Sequence, residues 1–150
     1  MDAIDRTLIR TLKDQGRASI QDLAARAGLS ASPCARRVRA LEEAGVIEGY
    51  SATVNEAKLG YAITVFVSVR LRHQVDDALM TFERAISACP EVVDCWLMTG
   101  NQDYLLRVVI EDLASFEQFL TARLTKIDSV ASIESSIPLR RVKAARFRVP

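Results

Sequence analysis

The stretch from Ser19 to Gly45 decides the fold of the first half of the chain, and it reads SIQDLAARAGLSASPCARRVRALEEAG. It opens on Ser19 with an acidic residue three positions later, a pattern typical of a capped helix start. Apolar residues at helical spacing continue to Gly28, where this helix is expected to end. A second helical pattern then runs to Gly45. The stretch therefore predicts two helices joined by a tight turn over residues 28–30.

The second helix of this pair carries a basic outer surface. Ser30 or Ser32 can cap its start, and Pro33 falls in its first turn, where a missing N–H costs nothing. If its apolar stripe is buried, the residues that point outward at about 100° per residue are Ser32, Arg36, Arg39 and Glu43, with Arg37 on the flank.

A helix of this kind, preceded by a supporting helix and a tight turn, is the arrangement that enters the major groove of DNA. Arginine there bonds guanine edges or phosphates, and serine does either more weakly. The alternative is a charged face that only keeps an exposed helix solvated. The candidate DNA-contacting residues are Ser30, Ser32, Arg36, Arg37 and Arg39.

A further helix is predicted before this pair, with Asp2 as its N-cap and Gly16 just past its end. After Gly45, residues 46–54 form two β-prone stretches around a glycine, which predicts a small wing hairpin. Residues 1–50 are thus predicted to form a winged helix-turn-helix DNA-binding domain. Residues 51–63 show neither helical nor strand periodicity of apolar residues, and we interpret them as a linker.

The second half alternates strand and helix patterns. The predicted order over residues 64–139 is β-α-β-β-α-β, the ferredoxin-like arrangement with an antiparallel sheet. Its predicted elements are the strands Thr64–Arg72, Val92–Thr99, Tyr104–Ile110 and Val130–Leu139 and the helices Asp76–Ala88 and Leu113–Leu124. The strands carry apolar residues on both faces, as Val65 and Phe66 show. Because two helices can cover only one face of such a sheet, the other face needs a partner.

Composition excludes several classes of protein. The 150 residues hold 20 Lys and Arg against 19 Asp and Glu, so only a local basic cluster can contact nucleic acid. No apolar run approaches the roughly 20 residues of a membrane span, and the acidic start lacks a signal-peptide profile, so we expect a cytoplasmic protein without membrane association. Three cysteines and one histidine favour neither a disulfide framework nor a metal site, and no cofactor is predicted.

Residues 140–150 form a basic tail with no acidic residue. Its charges either contact phosphates or only keep the terminus soluble, and the sequence favours neither interpretation. The basic residues of this tail are Arg140, Arg141, Lys143, Arg146 and Arg148.

Two motifs in separate halves resemble one known family, the Lrp/AsnC (feast/famine) transcription regulators. The segments that resemble its helix-turn-helix signature are Leu23–Ser30, Arg36–Arg39, Leu41–Glu42, Gly45–Ile47 and Gly49–Tyr50. The segment Thr99–Leu106 is similar to the family's glycine-to-aspartate loop. The resemblance extends over nearly the whole chain in the right order, which a chance match would not do.

The resemblance implies a prokaryotic transcription regulator that binds near-palindromic double-stranded DNA and senses a small effector, an amino acid. It also implies a homodimer, with octamers as a further assembly, and an effector pocket completed by a neighbouring subunit. The candidate effector-binding residues are Thr99, Gly100, Asn101, Gln102, Asp103 and Tyr104 on the loop and Ser135 and Ser136 on the last strand.

The chemistry of the loop suits an amino acid. A glycine loop exposes N–H groups that can bind a carboxylate, and Asp103 can accept from an α-ammonium group. The alternative is a plain β-hairpin turn, because Gly, Asn and Asp are turn residues in any case.

An enzyme is the competing class, since some relatives of this fold are sirohaem decarboxylases that use histidines of the second domain. Only His73 is available here, and no nucleophile–base set can be assembled around it. The basic face of the third helix would also have no purpose in such an enzyme. We therefore expect a regulator and no catalytic residues.

Overall fold

The computed structural model of the chain describes residues 1–143 and 148–149, so Arg146 of the basic tail lies outside the described residues. The chain forms two compact units. One holds Met1–Thr53 and the described residues of the tail beyond Arg141, and the other holds Val54–Arg141. The boundary between them falls inside the stretch interpreted as a linker.

The first unit contains the three helices that the sequence predicts: α1 (Ala3–Asp14), α2 (Ile20–Ala27) and α3 (Ala31–Glu43). Capping boxes begin α1 and α2, in which a side chain at the N-cap and an aspartate three residues later each bind the other's backbone N–H. Gly28 ends α2 with φ of +67°, a left-handed conformation that glycine adopts without steric cost. These local signals fix the tight turn that leads into α3.

The segment after α3 differs from the prediction, because none of residues 44–55 lies in a strand and the wing hairpin is absent from this segment. The N–H groups of Val46 and Ile47 donate to the carbonyl of Leu41, at 2.9 and 3.1 Å. The Tyr50 hydroxyl donates to Glu42 Oε1 at 2.8 Å. Partial burial and this carboxylate raise the pKa of Tyr50 to about 12. The segment therefore folds back onto the end of α3. Its N–H donors bind the helix there and are not available for a hairpin.

The second unit has the predicted β-α-β-β-α-β order. Its elements are β1 (Ile63–Leu71), α4 (Asp76–Ser87), β2 (Val92–Leu97), β3 (Tyr104–Ile110), α5 (Leu113–Ala122) and β4 (Val130–Ser136), with 3-10 helices at Glu56–Leu59 and Leu124–Lys126. The sheet order is β2-β3-β1-β4, and every neighbouring pair is antiparallel. The last strand ends at Ser136, three residues earlier than predicted.

The two faces of this sheet have different surroundings within the second unit. On one face Val67, Leu106 and Val108 are fully buried and pack with the aromatic rings of α4 and α5. On the other face, which we call the open face, the register places Leu105 between Ser68 of β1 and Trp96 of β2. Trp96 is 44% exposed there. Apolar side chains thus lie on both faces of the sheet, although Ser68 on the open face is polar.

Candidate DNA-binding helix and ligand-binding loop

Helix α3 presents a buried side and an exposed side. Cys34, Val38 and Leu41 are buried. Five residues of the opposite side and its start are exposed to solvent: Ser30, Ser32, Arg36, Arg39 and Glu43. Ser30 holds the N-cap position, although its hydroxyl makes no capping hydrogen bond and so stays available. Within the described part of the chain, neither Arg36 nor Arg39 has an ion-pair partner.

Arg37 differs from the other two arginines of the helix. Its Nη1 lies 2.7 Å from Asp2 Oδ2 and 2.8 Å from Asp5 Oδ1, both at the start of α1. The hydrogen bond from the Asp5 N–H lowers the pKa of Asp2 most, and the hydrogen bond from Arg37 lowers it further. The structure thus brings Arg36 and Arg39 together on one exposed surface and engages Arg37 inside the helical unit.

The loop between β2 and β3 has an exposed tip. Gly100 has φ of +114°, and Thr99, Gly100 and Asn101 are exposed. In the described chain, the backbone N–H groups of Gly100, Asn101 and Gln102 donate to no backbone carbonyl. The Oε1 atom of Gln102 is buried and has no hydrogen-bond partner among the described residues. The loop therefore offers several unused donors and one unused buried acceptor.

Asp103 is placed below this tip and is 5% exposed. Its Oδ2 accepts from the Leu71 N–H at 2.7 Å, and its Oδ1 accepts from the Gln74 side-chain amide. Its own N–H donates to the Val69 carbonyl at 2.9 Å. The carboxylate that the sequence suggested as an acceptor for an ammonium group thus connects the loop to the end of β1.

Tyr104 also faces inward, in contrast to its expected place in the pocket. Its side chain is 1% exposed, and its ring lies 4.5 Å from that of Phe82, centroid to centroid. Its hydroxyl donates to Glu83 Oε1 at 2.7 Å. Burial of the ring raises the pKa of Tyr104 most, and the hydrogen bond to Glu83 raises it further. The aromatic residue at the start of a core strand packs against α4, so Tyr104 supports the loop from below.

Ser135 and Ser136 are not brought to the loop within one chain. They lie on β4 opposite Val67 and Phe66. Strand β1 separates β4 from β3, so the serines lie about 10 Å from β3 across the sheet, and the tip of the loop lies beyond the end of β3. Both are exposed and point to opposite faces.

A charged cluster on the open face was missed by the sequence analysis. Arg107 of β3 binds Asp94 Oδ2 through Nε at 2.7 Å and Glu56 Oε1 through Nη1 at 3.0 Å. The cluster attaches the 3-10 helix Glu56–Leu59 to the sheet. An arginine inside an otherwise apolar strand was the signal for it, because a partly buried guanidinium needs partners.

Other kinds of site find no support in the described chain. Among residues 1–143 and 148–149, no group of three or more His, Cys, Asp and Glu side chains is placed to hold a metal ion. No helix in the same ranges has the length and apolar character that crossing a bilayer requires. A cavity of about 840 Å³ borders Pro90, Val109 and Phe119, but none of the candidate ligand-binding residues lines it.

Comparison with known proteins adds two family matches and close relatives. Residues 1–48 match a family described as winged helix-turn-helix DNA-binding, and residues 64–146 match the Lrp/AsnC ligand binding domain. The chain is 49% identical to the Bkd operon transcriptional regulator of Pseudomonas aeruginosa over 95% of its length and 93% of the relative's. It is 44% identical to a leucine-responsive regulatory protein of Rhizobium meliloti, over 97% and 93% of the two chains.

A solved structure shows the same architecture. It is that of a transcriptional regulator from Neisseria meningitidis in complex with L-Met. The TM-score is 0.93 at 31% identity, over 97% of this chain and 94% of the other. The two-domain fold therefore matches that of a transcriptional regulator crystallised with L-Met.

Proposed function

Because the chain belongs to the Lrp/AsnC family of transcriptional regulators, we propose that α3 reads specific DNA sequences and that an amino acid bound at the loop 99–102 alters this binding. The relatives are regulators and not enzymes, and nothing in them supports a sirohaem-decarboxylase-like activity. Since the proposed target is genomic DNA, its site of action is the cytoplasm.

The exposed side of α3 carries the DNA-binding proposal. Arg36 and Arg39 lie next to each other on it, exposed and without an ion-pair partner in the described chain. Two guanidinium groups without internal partners can make the bidentate contacts to guanine that give sequence discrimination. The exposed Ser30 and Ser32 at the start of the same helix can add phosphate or base contacts.

The effector proposal rests on the unused polar groups of the loop. The N–H groups of residues 100–102 suit the carboxylate of an amino acid, and Gln102 Oε1 can accept from its ammonium group. Asp103 and Tyr104 hold the loop in place. Because Thr99 and Asn101 are exposed in the single chain, the remaining walls come from a neighbouring subunit.

The open face supports a homodimer, and an octamer is the further assembly that membership of the family implies. Phe66, Trp96 and Leu105 form an apolar surface on the face opposite α4 and α5, beside the Arg107 cluster. A second copy buries this surface, and two-fold symmetry then matches a near-palindromic operator.

We expect one of the twenty standard amino acids to raise the melting temperature of the wild-type protein. A ligand that binds only the folded state stabilises it by about 2.7 kcal/mol at a hundred times its Kd, which raises the melting temperature by several degrees. A thermal-shift screen measures this directly. If no amino acid shifts the transition, the effector proposal fails.

The matched variants Q102L and Q118L locate the site within this screen. Q102L removes the amide acceptor of the loop, whereas Q118L makes the same change at an exposed position of α5. We expect Q102L to lose the shift and Q118L to keep it. Because Gln102 Oε1 has no partner to lose, Q102L without ligand should melt no lower than wild type.

A further inference from the structure

We infer that Arg37 is a positioning residue for DNA reading: Asp2 and Asp5 hold its guanidinium and thereby fix the rotation of α3 that aims Arg36 and Arg39. This inference rests on the proposed function of α3. It assigns a role to the acidic start of α1, and it separates Arg37 from the arginines that contact DNA.

The geometry of the contact is specific. A single nitrogen, Nη1 of Arg37, donates to a carboxylate oxygen of Asp2 and to one of Asp5. The two carboxylates are themselves fixed, because each also accepts a backbone N–H in the capping box that starts α1. The contact therefore joins the middle of α3 to a rigid helix start that lies 32 and 35 residues earlier in the chain.

The local charge argues against a direct phosphate contact by Arg37. Arg37, Asp2 and Asp5 together carry one net negative charge. The Asp2 side chain is 51% exposed, so a DNA phosphate that approached Arg37 would also approach this carboxylate. Neither Arg36 nor Arg39 makes an ion pair of this kind within the described chain. The charge of Arg37 is thus already compensated inside the protein.

The contact of Arg37 with Asp2 and Asp5 adds a directional restraint to the apolar core of the helical unit. Burial of Cys34 and Val38 against Leu8 already selects which side of α3 faces inward, but the attraction between apolar surfaces is itself non-directional. Charge-assisted hydrogen bonds are directional and oppose rotation of α3 about its axis. Because successive residues of a helix are about 100° apart, fixing Arg37 also fixes the directions of Arg36 and Arg39.

The test compares three variants on a specific duplex and on unrelated duplex DNA, at several salt concentrations. R37M removes the guanidinium and keeps an apolar stem, whereas R37K keeps a cation that can reach the same carboxylates. The double variant D2N/D5N removes the partner charges; asparagine at the N-cap position 2 caps as well as aspartate does, and the amide oxygen at position 5 can still accept the N–H of residue 2. D14N/E48Q is the charge control, since it also removes two exposed carboxylates of the first unit, away from the Arg37 contact.

We expect R37M and D2N/D5N to weaken specific binding alike, by up to about tenfold, because two exposed ion pairs of this kind are worth only that much. Binding to unrelated DNA and the salt dependence of R37M should match wild type, and R37K should recover most of the loss. A fall of about 0.9 in the salt slope of R37M, or tighter binding by D2N/D5N than by D14N/E48Q, would show instead that Arg37 contacts a phosphate.

The same titrations separate this inference from the proposed function. If R36A and R39A bind the specific duplex as wild type does, α3 is not the reader and both proposals fail. If those two variants lose specific binding while R37M and D2N/D5N retain it, only the positioning role of Arg37 is overturned.

Discussion

Replacing both Arg36 and Arg39 by alanine is expected to remove the specific component of DNA binding. Each arginine that bonds a guanine contributes about 1 to 3 kcal/mol of discrimination, so the double variant should lose about 2 kcal/mol or more, at least roughly thirtyfold in affinity. Fold stability should be unchanged, because both side chains are exposed and have no ion-pair partner in the described chain. Fluorescence anisotropy titrations on a specific duplex at fixed salt measure the loss.

The single variants show which kind of contact each arginine makes. Loss of a base contact relaxes specificity at one position of the site, whereas loss of a phosphate contact weakens binding to all sequences alike. R26A is the matched control, because Arg26 is an exposed arginine on the supporting helix α2. Wild-type affinity in both R36A and R39A would contradict the assignment of α3 as the reader.

The variant L105D is expected to separate the protein into single chains. Leu105 lies at the centre of the open face between Ser68 and Trp96, so the change places a carboxylate in the proposed dimer interface. Burying an unpaired carboxylate there costs several kcal/mol, whereas in a single chain the charge stays in water. Light scattering should give the wild type a multiple of 16.6 kDa and the variant 16.6 kDa.

L113D is the control for this experiment. It makes the same substitution at an exposed leucine that begins α5, outside the open face. We expect L113D to keep the wild-type mass. A wild-type protein that is already a single chain at micromolar concentration, or an L105D variant of unchanged mass, would exclude the open face as the interface.

Local signals in the sequence were sufficient to predict the helices of the first unit. The capping boxes that start at Asp2 and Ser19 each span four residues, and Gly28 ends α2 through its own backbone conformation. Such features depend on neighbours in the chain and not on packing. The predicted wing hairpin does not form in residues 44–55. Val46 and Ile47 have β propensity, but their N–H groups donate to the carbonyl of Leu41 and not to a paired strand.

The sequence could not predict which side chains of the candidate sites are engaged internally. Whether Arg37 faces DNA depends on where the start of α1 lies against α3, and that contact joins residues more than thirty positions apart. Asp103 has the composition of a turn residue, but its partners, the Leu71 N–H and Gln74, are set by the pairing of β1 with β3. In both cases the residue type indicated a polar role, but the sequence could not predict the tertiary partner.

Selection of bound sequences from a random pool of duplex DNA by the wild-type protein shows directly whether a symmetric pair of α3 helices reads DNA. If paired α3 helices read DNA, the enriched sequences should be near-palindromic, with half-sites centred about one turn of DNA, 10 to 10.5 base pairs, or a multiple of it apart. The same pool selected by R36A/R39A should lose this pattern. A wild-type pool that remains random, or that converges on a site without two-fold symmetry, would contradict the account.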